Sequence, residues 1–502
     1  NASSESGNIT YQASGNLAFH SFTSQSGTIA LQADRLIPVN SATVTAPGGV
    51  TLVQGEGDVT LQATDTPSSY TVTVADGLFT VTTESDLSLQ AGSGQLETLG
   101  DITTNGDMVL EAYLDLSVNG LLSAGGDISL TAGGTIAVSL LTTDDGQIIL
   151  HAGTHEADGA IVDQRSDEGV NLSTQGKVVL QAAANIGNSG DADIDLQAGE
   201  VEALSSGNGT IFLNALTNLN LGAAGIQTHG DGEIHLQAAG DVLLTRVSSE
   251  SGNITIQAGQ AIVDNSEDEG VNIASAATLT LEANTGMGDY DAFDINTDVL
   301  TLNALNRLEG HIIIANEGSL AIGDQGVLQM APEGWVVLYS KHGKLAKGKV
   351  LSMDEQPVLR LQRMSGLSKP ALQAIMAGFQ AATTTLTIPM HQDSTDLFSQ
   401  KRPSEQGDFT MEKSIKTLLL PHIVANFGSN SVSSGESMVI RATSSPFSSS
   451  KNIFEVVFET ESSVQPDSQP SATPQEELPP LEEQVSEPEP ETENTPEETH
   501  TP

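Results

Sequence analysis

The chain contains no cysteine, which excludes a disulfide framework and any thiolate metal site. Aromatic side chains make up only 4% of its 502 residues, so a compact core built around large rings is not available. The apolar content of 38%, mostly Ile, Leu, Val and Ala, leaves an aliphatic core possible. Positive charge is scarce where most of the chain lies. Residues 1–340 hold only Arg35, Arg165, Lys177, Arg246 and Arg307 against 43 acidic side chains, a net of −38 out of −47 for the whole chain. A surface of that sign repels phosphate backbones and anionic lipid, so nucleic acid is excluded as a partner of this part. No apolar run approaches the 18 or so residues that cross a bilayer, and no membrane-spanning segment is expected. The chain opens at Asn1 without a Met or a charged-then-apolar leader pattern. The repeat described next is already under way at Gly7, so the chain is expected to be a piece of a longer protein.

What the sequence does have is one phrase, said many times. It appears as "GNITYQA" (Gly7–Ala13), "GTIALQA" (Gly27–Ala33), "GDVTLQA" (Gly57–Ala63), "GDISLTA" (Gly126–Ala132), "GQIILHA" (Gly146–Ala152), "GEIHLQA" (Gly232–Ala238) and "GNITIQA" (Gly252–Ala258). Recurrence near 20 residues, with some gaps of about 30 that suit loops or an extra strand, marks a repeat architecture. Within the phrase the aliphatics alternate. Ile128, Leu130 and Ala132 share one parity, and Asp127, Ser129 and Thr131 the other, which is the period of a strand with one buried face. The leading Gly is read as a turn residue tolerant of positive φ. Short strands that return every 20 residues describe the coils of a parallel β-helix, each coil hydrogen-bonded to the next.

A larger duplication lies over the small one. "AIVDQRSDEGVN" (Ala160–Asn171) returns 101 residues later as "AIVDNSEDEGVN" (Ala261–Asn272), and the register then holds: Leu180 matches Leu281, Gly187 matches Gly288 and Ile211 matches Ile312. Glycines and aliphatics were kept, as a coil demands, and mostly polar residues drifted.

The phrase "GDISLTAGG", with its partner "GNITIQAGQ", resembles the repeats of filamentous-haemagglutinin-type adhesins and related giant surface proteins of bacteria. The resemblance covers about residues 1–340. It implies a right-handed parallel β-helix, an extracellular or bacterial cell-surface location, a host or neighbouring-cell surface glycan or protein as partner, and an outer-membrane secretion partner. It brings no catalytic residues, because the resembling repeats have none.

Near residue 340 the grammar changes. "GWVVLYSKHGKLAKGKV" (Gly334–Val350) holds the only Trp and the lysines Lys341, Lys344, Lys347 and Lys349. "SKPALQAIMAGFQAA" (Ser368–Ala382) reads as a helix. Ser368 is a capping residue and Pro370 suits a first turn, while Leu372, Ile375, Met376 and Phe379 make one apolar face. A solenoid end needs a cover, so residues 341–460 are expected to form a C-terminal cap or small mixed region, or a docking module. "SMVIRA" and "NIFEVVFET" within it look like strands. From Glu461 to Pro502 the chain is dominated by Pro, Glu, Ser and Thr, with no Lys or Arg. Such a composition buries too little apolar surface to offset ordering entropy, and a disordered, acidic, Pro-rich tail is expected.

Few residues offer chemistry. Asp144 and Asp145 could give one carboxylate of a glycosidase pair, but read more simply as a turn. His151, His155, Glu156 and Asp158 form "HAGTHEAD" and could hold a metal, although His151 has outward parity. Asp191, Asp193 and Asp195 cluster in "SGDADID", and Asp289, Asp291 and Asp294 in the duplicated "GDYDAFD"; these are the candidate oxygen ligands for Ca²⁺. No other cofactor is implied. Scarce aromatics lean against sugar stacking. The expectation is an all-β, non-catalytic structural solenoid, the stalk of a large bacterial adhesin. The alternatives are a β-helix carbohydrate-active enzyme, a polysaccharide lyase or hydrolase, and a repeat surface that itself binds glycan or a partner.

Overall fold

The structure, a computed structural model, describes residues 1–362 apart from 65, 67, 75–76, 166–168, 267–269, 289–294, 347 and 353–357, together with 436–443 and 453–460. Among the described residues every regular element is a β-strand, and nearly all pairing is parallel between successive coils. The architecture is a parallel β-solenoid of about 15 turns.

The alternation of the repeat phrase becomes a core of stacked columns many rungs long. Ile29 pairs with Val50, Val50 with Leu87, Leu87 with Met108, Met108 with Ile128, Ile128 with Ile148 and Ile148 with Val178. Two residues along, Leu31, Leu52, Leu89, Leu110, Leu130, Leu150 and Leu180 make a second column in the same register. Ile128, Leu130, Ile254 and Ile256 are fully buried, as their parity requires, while Ser129 and Thr131 are half-buried on the other face. Stacking like on like lets branched side chains from adjacent coils, about 4.8 Å apart, close on each other without voids.

The longer gaps hold what the spacing anticipated. After Val59–Ala63 the chain adds an extra strand, Ser69–Val74, antiparallel both to it and to Gly77–Thr82, before parallel stacking resumes at Ala42↔Phe79. Pairing does not stop at residue 340. Val327 pairs with Val350 and Val336 with Val358, both in parallel register. The strands Ile312–Asn316 and Val336–Ser340 are buried on both faces, which explains why "HIIIAN" and "WVVLYS" lose the alternation seen upstream. The two strands expected in residues 341–460 are present as Glu436–Thr443 and Ile453–Thr460, antiparallel to one another, with Ile453 parallel to Val358. The helix expected over Ser368–Ala382 and the tail Glu461–Pro502 lie outside the described residues.

Two polar ladders lock the coils, and the first corrects the reading of the phrase's glycine. Of the glycines that open the quoted phrases, only Gly57 has positive φ, at 86°. At Gly27, Gly126, Gly146, Gly232 and Gly252 a side chain would not fit. A Cβ on Gly126 would stand 2.0 Å from Asp107 Oδ1, and one on Gly106 would stand 2.0 Å from Asp86 Oδ1. That carboxylate accepts from the backbone of the coil above: Asp107 N–H donates to Asp86 Oδ1 at 3.0 Å, Asp127 N–H to Asp107 Oδ1 at 2.9 Å and Gln147 N–H to Asp127 Oδ1 at 2.7 Å. Gly and Asp of "GD" are thus one device repeated through the stack, and much of the acidity is structural. At another corner, Ser and Thr hydroxyls donate to a carbonyl one coil below: Thr143 to Gly126 at 2.7 Å, Thr174 to Gly146 at 2.6 Å, Thr228 to Gly209 at 2.7 Å and Ser275 to Gly252 at 2.6 Å. Both ladders satisfy backbone groups that the corners leave out of the strand pairing.

The 101-residue duplication conserves polar residues as well as aliphatics, for the same kind of reason. The Asn171 amide donates to Asp163 at 2.6 Å while its oxygen accepts from Asp195 N–H at 2.8 Å. In the second block Asn272 donates to Asp264 at 2.7 Å and accepts from Asn296 N–H at 2.9 Å. Asn171 and Asn272 are buried, and a buried amide is tolerated where its donors and acceptors are used.

Candidate functional site

The residues singled out by sequence are dispersed along the solenoid. Asp144 and Asp145 are both exposed, in a turn whose backbone serves the next coil: Gln175 N–H donates to the Asp144 carbonyl at 2.7 Å. His151 is exposed on its strand. His155 lies over Tyr113 with ring centroids 4.6 Å apart and meets the Thr154 hydroxyl at 3.0 Å. Among the described residues no three His, Asp or Glu side chains converge as a metal cradle.

The first aspartate cluster is divided by the fold. Asp195 is buried, and its carboxylate accepts from the Asn214 amide of the next coil at 2.7 Å. Asp191 and Asp193 instead line the wall of a groove of about 320 Å³. Asp289, Asp291 and Asp294 lie outside the described residues.

The groove is built from three successive rungs and one overhanging loop. Its floor is the outer face of Ile211–Ala215, Ile234–Ala238 and Ile254–Ala258, where Phe212 stands in register with His235 and Thr255, and Asn214 with Gln237 and Gln257. The loop folds tightly on itself: Asn188 N–H donates to the Ala192 carbonyl at 2.8 Å, and Gly187 and Gly190 both take positive φ. A Cβ on Gly187 would approach the Phe212 carbonyl to 2.5 Å, so that glycine lets the loop lie close over the floor.

Phe212 and His235 are stacked, with centroids 4.3 Å apart and planes 3° from parallel. His235 Nε2–H donates to Glu233 Oε2 at 3.3 Å, and Glu233 also accepts from the Asn253 amide at 3.0 Å. Those two donors hold the Glu233 carboxyl below its ordinary range, against a smaller upward push from burial. Gln237 and Gln257 keep their side-chain amides unengaged among the described residues, and both line the groove. Sequence reading singled out the wall residues Asp191 and Asp193 but missed the floor of the groove. The outward parity of Phe212 and His235 was readable, but their juxtaposition depends on a rung of 23 residues rather than 20. Comparison of the chain with protein-family models, with curated proteins and with solved structures finds no match.

Proposed function

We propose that this chain is a non-catalytic structural solenoid, displayed at a bacterial cell surface or released from it, and that it serves as the stalk of a large adhesin. The observation that carries the reading is the aliphatic core, stacked in register from Ile29 to Val178 and continued through about 15 turns. A structure of this kind gains length with each coil and places the two ends of the stack far apart, which suits a spacer. Its acidic outer ladder keeps such a surface soluble and discourages side-by-side association. The resemblance of "GDISLTAGG" to adhesin repeats agrees with this role. Protease treatment of intact producing cells tests it: a surface stalk is degraded before the cells lyse. Protection until lysis, with cytoplasmic markers protected in parallel, overturns it.

A further inference from the structure

We infer that Lys341 and Asn296 join in an isopeptide bond, with Glu317 as the base, and that the bond staples three successive rungs of the solenoid. The inference is independent of the stalk reading, because the bond forms or fails to form wherever the chain is placed.

The three side chains converge from neighbouring coils. Ile295–Asn306, Ile312–Asn316 and Val336–Ser340 stack in parallel, with Asn296 on Ala315 and Ala315 on Tyr339. Glu317 and Lys341 follow the ends of the second and third of these strands. Backbone bonds fix both: Glu317 N–H donates to the Thr297 carbonyl at 2.8 Å, and Lys341 N–H to the Asn316 carbonyl at 2.8 Å. From there Lys341 Nζ–H donates to Glu317 Oε1 at 2.7 Å and to Asn296 Oδ1 at 3.0 Å. His342 Nε2 lies 3.6 Å from the other oxygen of Glu317.

A surface Lys–Glu pair is common and needs no special purpose. This lysine does more than pair. It reaches back two rungs, about 9–10 Å along the axis, to an amide that is only 3% exposed. The intervening rung carries Ala315 in the Asn296 column, which leaves the path clear. In the first block the equivalents of Asn296, Ala315 and Glu317 are Asp195, Asn214 and Leu216, and the Asn214 amide donates to the Asp195 carboxylate at 2.7 Å. That block therefore has a carboxylate where the second has its electrophile, and a leucine where the second has its base.

The chemistry follows from this placement. Glu317 takes one proton from the Lys341 ammonium and leaves a neutral amine, the nucleophilic form. Asn296 Cγ lies one C=O bond, about 1.23 Å, beyond the oxygen that Nζ already touches, so the amine is held within attack range. The Nζ lone pair forms a bond to Cγ, and the C=O π electrons move onto Oδ1. Protonated Glu317 gives its proton to Nδ2 and then takes one from Nζ. The C=O bond re-forms as the Cγ–Nδ2 bond breaks. Ammonia leaves, an amide joins the two side chains, and Glu317 releases its proton to water. Nothing is oxidised or reduced, and no co-reactant is needed. The Nδ2 leaving group makes no hydrogen bond among the described residues, so none is broken when it departs.

Mass spectrometry of the full chain, purified in its folded state and left to stand at neutral pH, tests this. The expected intact mass is below that of the sequence by one ammonia, about 17 Da. A tryptic digest should contain a branched peptide that joins the segment holding Asn296 to the segment holding Lys341, uncut after Lys341. Lys341→Arg keeps a cation beside Glu317, and Glu317→Gln keeps the shape of the base. Both variants should show a cooperative melt, regain the full mass and lose the branched peptide. The parent digest decides by itself whether the bond exists. If the parent has its full sequence mass, if it loses ammonia without this branched peptide, or if Glu317→Gln forms the peptide as readily as the parent does, the inference is wrong.

Discussion

At the scale of single residues, the close approach of coils makes glycines unequal. A Cβ at Gly252 would fall 1.9 Å from the Gly232 carbonyl oxygen, while one at Gly15 would meet nothing within 4 Å. Gly252→Ala should therefore cost about 1–3 kcal/mol, as overpacking against backbone does. Gly15→Ala should be neutral or slightly stabilising, since it only restricts the unfolded chain. Thermal melts of the two variants check this, and equal effects would show that the coils do not pack as described. Residue chemistry also sets an acid limit. Burial pushes the Glu202 carboxyl up, but the Lys177 ammonium at 2.7 Å and the Ala224 N–H at 2.9 Å more than offset this and hold it below its ordinary range. Glu233 is lowered too. A carboxyl lowered in the folded state contributes stability above its unfolded value and loses it as pH falls through the folded one. Melting temperature should thus hold from neutral pH down to the ordinary glutamate range and drop below it, and Glu202→Gln should flatten that drop. A melt that rises on acidification in this window would contradict the assignment.

Strands and their columns were the most legible level. Ile, Leu and Ala at alternate positions were enough to place Ile128 and Leu130 inside, because a coil buries one parity and nothing else can fill so narrow a core. The polar ladders were not legible. Asp107 reads as one more surface acid until the coil above brings the Asp127 N–H within 2.9 Å, and Thr143 shares the inward parity of Leu141 without showing that its hydroxyl reaches the Gly126 carbonyl. Neither contact is local, so neither leaves a periodic trace of its own. The groove was hidden for a related reason: its aromatic pair comes from a locally altered coil length. The column predicts its own cooperativity. Ile128→Asp should cost several kcal/mol, or protonate, because the stack around it offers no polar partner. Met108→Ala and Ile128→Ala touch across one rung and should be non-additive by 0.5 kcal/mol or more, whereas Ile128→Ala and Ile254→Ala should add within about 0.5 kcal/mol. Double-mutant cycles from denaturant melts decide both.

For the molecule as a whole, about 15 turns at about 4.8 Å per rung give an axial length of roughly 70 Å. Small-angle scattering of the chain should therefore show a maximum dimension at or beyond that length with a skewed distance distribution, and a symmetric, compact profile would exclude the stack in solution. The absence of catalysis proposed here is testable at the same scale. Purified chain should not depolymerise pectin or alginate, with or without Ca²⁺, because residues 1–340, with 43 acidic and five basic side chains, repel a polyanion and slow encounter. Cleavage that Asp193→Ala abolishes would restore the enzyme alternative.

The inter-coil hydrogen bonds described above run along the solenoid axis, one rung to the next. Tension applied between the two ends of the stack therefore pulls on these bonds lengthwise, and yielding starts with the rung that is weakest rather than across the whole core at once. Each coil of about 20 residues that peels off converts a rise of about 4.8 Å into up to about 65–70 Å of extended contour. Because each coil contacts only its neighbours, the rest of the stack stays formed while one gives way. A thread with this arrangement lengthens many-fold in small steps before it fails, and dissipates work at every step.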